Sequence, residues 1–144
     1  MPNETRKLGP EFKPSDQAIP EIKALDLGMP RPWRIALRLV QSQVQMIFDL
    51  EDPIIVGRAH PEKNYYPDID LGAFNGGEQG VSREHLFIKL DGERVVIVDN
   101  HSANGTCLNG EWLSPDAAYP VRNGDEITLG LMKLQIELLT NPYN

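Results

Sequence analysis

One cysteine, Cys107, and three histidines are all that the 144-residue chain offers to a disulfide or a soft metal. A single thiol cannot close an internal bridge, and His60, His85 and His101 stand at no spacing that suits a metal, so neither a disulfide framework nor a metal or cofactor site is expected. Nowhere do about 18 uninterrupted apolar residues occur, which argues against insertion into a membrane. Met1 to Pro10 carries Glu4, Arg6 and Lys7 with no apolar stretch behind them, so a secretory leader is not expected and the compartment reads as cytoplasmic. Positive charge is also scarce. With 14 Lys and Arg against 21 Asp and Glu the formal charge is −7, and the field of the whole molecule repels nucleic acid and anionic lipid. Any anion bound here must be held by a local arrangement of donors.

What is present is the composition of a globular protein, 40% hydrophobic and 24% charged, at a length that suits one domain with a real core. The six prolines between Met1 and Pro32, without helical or strand periodicity, predict a disordered tail over residues 1–32. The fold is expected over 33–140, with a short polar tail at 141–144. From Trp33 onward short β-rich runs alternate with turn residues: 34–40, 44–50, 54–58, 69–71, 85–90, 95–99, 126–129 and 133–139. Ile35, Leu37 and Leu39 fall on one face of a strand, as do Leu134, Ile136 and Leu138, so these faces should line a core. Asp91-Gly92-Glu93 sits where a tight hairpin turn is wanted. The class is all-β, a sandwich with polar loops at its ends. Two loops, 59–68 and 72–81, are long for so short a chain; they serve either as connections or as places for binding residues.

Four short motifs occur in the order Gly57-Arg58, Ser82-Arg83-Glu84-His85, Asn104-Gly105-Thr106 and Asn109-Gly110, each in a loop or at a predicted strand end. Arg58 brings a planar, permanently charged fork of donors that matches phosphate oxygens. Ser82 brings a small hydroxyl beside a turn N–H, which lets a phosphate approach closely, and Arg83 adds a second positive charge. Asn104-Gly105 reads locally as a turn. Any one of these motifs is common, but the ordered set within about a hundred β-rich residues is hard to reach by chance. Over roughly 34–139 the chain resembles the forkhead-associated (FHA) domain family, and Gly124-Asp125 before the last strands fits the same pattern.

The resemblance implies an FHA-like (SMAD/FHA-type) β-sandwich of about ten to eleven mostly antiparallel strands with functional loops at one end. It implies recognition of phosphothreonine-containing protein segments in signalling by Ser/Thr kinases, without catalysis. Arg58, Ser82 and Arg83 would bind phosphate, and Asn104 would hold the peptide backbone, with His101, Ser102 and Ala103 as further peptide contacts. Gly57, His85, Gly105, Thr106, Asn109 and Gly110 would keep the loops in shape. One position departs from the family pattern: where many members place a threonine or serine before the Asn, this chain has Ala103. Loss of one neutral hydrogen bond costs about 0.5–1.5 kcal/mol, so binding should survive, with Ser102 as a candidate substitute.

Three further readings follow from the same residues. Ser82, His85 and Asp99 resemble a nucleophile, a base and an orienting acid, but there is no nucleophile-elbow pattern, and a histidine three residues after a serine fits a loop buttress better. A phosphate-independent interaction or assembly domain is the alternative that Ala103 and the net acidity motivate. Finally, Thr5 is the only threonine of the N-terminal segment, and its phosphorylation would create a ligand within the same chain.

Overall fold

The computed structural model describes residues 32–140, and the expected tails, Thr5 among them, lie outside the described residues apart from Pro32. Eleven strands follow one another: β1 (Pro32–Leu39), β2 (Gln45–Asp49), β3 (Ile54–Gly57), β4 (Ile69–Asp70), β5 (Glu84–Asp91), β6 (Arg94–Asp99), β7 (Thr106–Leu108), β8 (Glu111–Trp112), β9 (Ala118–Pro120), β10 (Glu126–Leu129) and β11 (Met132–Thr140). They form a six-stranded sheet in the order β2-β1-β11-β10-β7-β8 and a five-stranded sheet in the order β4-β3-β5-β6-β9. All recorded pairings are antiparallel except β3 with β4.

The alternation in the sequence becomes the core. Ile35 and Leu37 of β1, Ile127 and Leu129 of β10, and Leu134 and Ile136 of β11 are buried in one cluster with Ile54 and Val56 of β3, Leu86 and Ile88 of β5, and Val95 and Ile97 of β6. Removing such aliphatic side chains from water contributes about 1.5–3 kcal/mol each, and that sum offsets the entropy lost in ordering the chain. The Gly92-Glu93 turn joins β5 to β6 with Asp91 opposite Arg94, as the sequence predicts for a tight hairpin.

The differences lie in short elements. The first strand opens at Pro32, one residue before the expected start of the fold. Strands β7, β8 and β9 have three, two and three residues, too few for an alternating pattern to register. Leu71 ends no strand; it opens a 3-10 turn over Leu71–Phe74, because the Asp70 carboxylate takes the Gly72 N–H at 2.8 Å and bends the chain there. Leu71 is fully buried, so the 72–81 loop begins from an anchor in the core. A second 3-10 turn, Pro61–Lys63, lies within the 59–68 loop.

Candidate functional site

The ends of β3 and β6 and the starts of β5 and β7 meet at one end of the sandwich, since Gly57 pairs with Glu84 and Leu86 with Asp99. The four motifs are therefore distributed by topology, with the first two and the Asn104 motif at this end. Gly57 is required by contact: a Cβ there would lie 1.7 Å from the Arg83 carbonyl oxygen. That carbonyl accepts the Arg58 N–H at 3.1 Å, which ties the residue after β3 to the residue before β5. Arg58 Nε donates to the Val81 carbonyl at 2.7 Å. One edge of the guanidinium is thus fixed to backbone, and its outer nitrogens form no ion pair among the described residues. A group held in this way presents its fork at low entropic cost.

Ser82 is held from two sides. Its N–H donates to His85 Nδ1 at 2.9 Å, and its Oγ accepts the Ala103 N–H at 3.0 Å. Because an amide already occupies a lone pair of Oγ, the hydroxyl proton remains to be donated to a ligand. Ala103 thus serves the site through its backbone. Arg83 is exposed beside it.

His85 is fully buried, and its second nitrogen, Nε2, lies 2.9 Å from the Gly105 carbonyl. An amide can only donate and a carbonyl only accept, so Nδ1 is bare and Nε2 carries the proton. Burial holds the imidazole pKa below its usual value of 6.5, against the opposing pull of the Gly105 carbonyl and the Asp99 charge. With both ring nitrogens engaged by backbone, none is left for the Ser82 hydroxyl, and the arrangement does not form a nucleophile and base.

Asp99 organises the loop between β6 and β7. Its buried carboxylate accepts the Ser102 N–H at 3.1 Å, the Ser102 hydroxyl at 2.6 Å and the Thr106 hydroxyl at 2.6 Å. Burial alone would raise its pKa, but these donors, with His85 nearby, bring it below the usual carboxylate value. Ser102 therefore gives its hydroxyl proton to Asp99, and the role of substitute donor suggested by the sequence would require that bond to break. His101, in a left-handed conformation, pairs with Asp116 at 2.5 Å on the exposed side of the same loop.

Asn104 Nδ2 donates to the Gly80 carbonyl at 3.0 Å, which joins this loop to the glycine-rich 72–81 loop. The Asn104 side-chain oxygen has no hydrogen-bond partner among the described residues, and the residue is exposed. Asn109 and Gly110 lie apart from this group. They make the hairpin turn between β7 and β8, both with positive φ, and Asn109 clasps Asp125 and the Glu126 N–H at the other end of the sandwich. The stretch from Gly76 to Gly80 reads in the sequence as a place for ligand contacts, but the part that the Gly80 and Val81 carbonyls play in holding Asn104 and Arg58 does not, since each acts through backbone on a residue more than twenty positions away.

The site end thus assembles a backbone-fixed guanidinium, a hydroxyl with a proton to donate, a second arginine and an amide carbonyl with room for a donor. Such a set has the chemistry to hold a tetrahedral anion.

The profile of the FHA domain family matches residues 54–130. Protein FraH of Nostoc sp. is 36% identical over 98 residues, 67% of this chain and 34% of that protein. The solution structure of the FHA domain of an Arabidopsis thaliana hypothetical protein superposes with a TM-score of 0.64 at 27% identity, covering 78% of this chain and 90% of that one. A structure described for phosphothreonine-dependent FHA domain interactions superposes with a TM-score of 0.57 at 26% identity, covering 73% of this chain and 96% of that one. The chain spans 34% and 51% of the lengths of two curated relatives that it matches.

Proposed function

This chain belongs to the FHA domain family, and from that premise we propose that it is a phosphopeptide-recognition module that binds phosphothreonine-containing segments of other proteins in Ser/Thr kinase signalling, without chemistry of its own. The observation that carries this reading is the convergence of Arg58 and Ser82, each fixed by backbone at the meeting of β3 and β5. The phosphate carries nearly two negative charges and three strong acceptors. Arg58 supplies the outer guanidinium nitrogens, Ser82 its hydroxyl and Arg83 a second cation. Asn104 accepts from the ligand backbone and so sets an extended peptide across the loops. His101 and Ala103 are exposed on the same loop and suit contacts with flanking ligand side chains. The 33–140 segment is the binding domain in this reading, and 1–32 and 141–144 are its tails.

A net charge of −7 does not oppose this, because a bidentate, partly buried cation acts at contact range, where screening and the distant field count for little. Among the described residues no helix is long and apolar enough to cross a membrane, and a cytoplasmic setting, where Ser/Thr kinases act, suits the proposed ligand.

The test is calorimetric titration with a pool of phosphothreonine peptides and its unphosphorylated counterpart, on the wild type and on Arg58→Ala. Phosphate-dependent binding that weakens by roughly 3 kcal/mol in the variant, a hundredfold or more in Kd, is expected from the loss of two charge-assisted bonds. Partner binding that ignores both phosphate and Arg58 would favour the assembly reading motivated by Ala103. Thr5, once phosphorylated, is proposed as an intramolecular ligand of the same site; equal affinity of the Thr5-phosphorylated and unmodified chains for an external phosphopeptide would exclude that.

A further inference from the structure

Asparagine followed by glycine occurs four times in the described residues, at Asn75-Gly76, Asn104-Gly105, Asn109-Gly110 and Asn123-Gly124. The pair carries a chemistry of its own. With no Cβ in the way, the glycine backbone nitrogen can lose its proton and attack the asparagine Cγ, closing a cyclic imide and expelling Nδ2, which takes up a proton and leaves as ammonia. Water then opens either carbonyl of the imide, giving aspartate or, with the chain rerouted through the side chain, isoaspartate. The sum is amide and water becoming acid and ammonia, with no oxidant or reductant. Two conditions govern the rate within a fold: the glycine N–H must not be held by an acceptor, and the asparagine amide must be free to turn toward it.

Three of the pairs fail one condition or both. Gly76 is buried, and its N–H donates to the Leu71 carbonyl at 2.9 Å. The Gly124 N–H donates to the Ile136 carbonyl at 2.7 Å, and Asn123 Oδ1 accepts the Leu138 N–H at 2.7 Å. The Asn109 amide is clamped at both ends, Nδ2 on Asp125 at 3.1 Å and Oδ1 on the Glu126 N–H at 2.9 Å. Asn104-Gly105 differs. The carbonyl of Gly105 is fixed by His85 Nε2 and by the Gly130 N–H, but its own N–H has no hydrogen-bond partner among the described residues. Asn104 is exposed and its amide is tethered by the single 3.0 Å bond from Nδ2 to the Gly80 carbonyl, while Oδ1 is open to the charge that develops during attack. The glycine itself is fixed by the fold, since its φ is +83° and a Cβ there would lie 2.6 Å from Trp112 Cζ3. The residue that lets this loop lie against β8 therefore also leaves Asn104 open to attack.

We infer that Asn104 is a site of spontaneous deamidation and that this modification switches off the recognition end. The site stands on the geometry of the four pairs; its consequence rests on the phosphopeptide reading above. An acid at position 104 has no hydrogen to give to the Gly80 carbonyl and sets a carboxylate against that oxygen, so the bond between the two loops is lost. The same carboxylate adds negative charge where the phosphate dianion is to be held. Isoaspartate goes further, because it lengthens the backbone directly after Ala103, whose N–H orients Ser82.

The experiment is ageing of the purified chain at mildly alkaline pH, with tandem mass spectrometry of its proteolytic fragments to locate each acid formed and titration of the same samples with a phosphothreonine peptide and its unphosphorylated twin. Acid is expected at Asn104 about tenfold faster than at the other three pairs, the factor imposed by one hydrogen bond that must break first. The converted fraction should match the fraction of binding sites lost, and a freshly prepared Asn104→Asp variant should bind the phosphopeptide about tenfold more weakly than the wild type. An Asn104 that stays an amide, or converts no faster than Asn75, Asn109 and Asn123, overturns the site. Full phosphopeptide affinity in the converted chain and in Asn104→Asp overturns the switch while leaving phosphothreonine recognition intact. If the fresh wild type binds both peptides alike, the recognition reading falls and the switch with it, whereas the order in which the four pairs convert still decides the site.

Discussion

At the end of the sandwich that carries Arg58 and Asn104, a Cβ added to Gly57, Gly80, Gly105 or Gly130 would come within 1.7, 2.8, 2.6 or 2.5 Å of another atom, whereas Gly92, Gly110 and Gly124 at the opposite end have nothing within 4 Å. The same residue type answers two different demands. At the far end glycine lets the chain turn, in two hairpins at Gly92 and Gly110 and in the crossing from one sheet to the other at Gly124, and the backbone conformation is the whole requirement. At the recognition end it lets one loop lie directly on another, so that Arg58, Ser82 and Asn104 are fixed by carbonyls and amides of neighbouring segments. The buried polar groups follow the same division. His85, Asp99 and Thr106, the three buried polar or charged residues among those described, all stand behind the recognition loops. A rigid, fully bonded support of this kind reduces the ordering cost of binding, which is what a small site with few contacts requires.

The contrast can be broken from either side, and the effects should be graded. Gly57→Ala is expected to have the largest, because its Cβ would collide with a backbone oxygen that cannot move without displacing the start of β5; a loss of about 3 kcal/mol in urea unfolding and loss of phosphopeptide binding should accompany each other. Asp99→Asn comes next. The amide oxygen can keep the Ser102 and Thr106 hydroxyls, which share one carboxylate oxygen, but its NH2 group then faces the Ser102 N–H, donor against donor, so a destabilisation of about 2 kcal/mol is expected in the same assay, with weaker peptide binding as the β6–β7 loop loosens.

The pH dependence should separate the two buried groups. His85 has its folded pKa below 6.5, so below that value the unfolded chain binds the proton more readily. Its stabilisation is complete above 6.5 and declines as the pH falls toward the folded pKa, by at most about 1.4 kcal/mol per pH unit. Asp99, whose folded pKa is also depressed, keeps its contribution above 3.8 and loses it only as the pH falls below that. Thermal unfolding between pH 7 and 5 should therefore lose a component that a His85→Gln variant lacks. The smallest effect belongs to Gly92→Ala at the far end, about 1 kcal/mol from placing a side chain in the left-handed region, with phosphopeptide affinity unchanged.

Much of the fold was legible in the sequence because long alternating runs report burial directly: Ile35, Leu37 and Leu39 were assigned to the core by period alone, and all three are buried. Strands β7 to β9 were not, since two or three residues carry no period, and Leu71 reads as the end of a strand because the cap that the Asp70 side chain places on the following turn leaves no periodic signal. In the site, the motifs and the family they resemble pointed to Arg58, Ser82 and Asn104, which gather at one end, and also to Asn109 and Gly110, which lie at the other, yet they could not give the direction of a side chain. Ser102 and Ala103 illustrate this. One was expected to offer a hydroxyl and turns it to Asp99, and the other appeared as a missing donor and instead supplies the amide that orients Ser82. The contact of Trp112 with Gly105 likewise spans a hairpin and leaves no local signature in the sequence.

The central claim, that the crowded end binds phosphate and the open end does not, is tested most directly by amide chemical shifts of isotopically labelled protein titrated with a phosphothreonine peptide and its unphosphorylated twin. Phosphate-dependent shifts are expected at Arg58, Ser82, Arg83, Ala103 and Asn104, with Gly92, Gly110 and Gly124 unmoved. Shifts centred on the far hairpins, or shifts that are the same with and without phosphate, would contradict it.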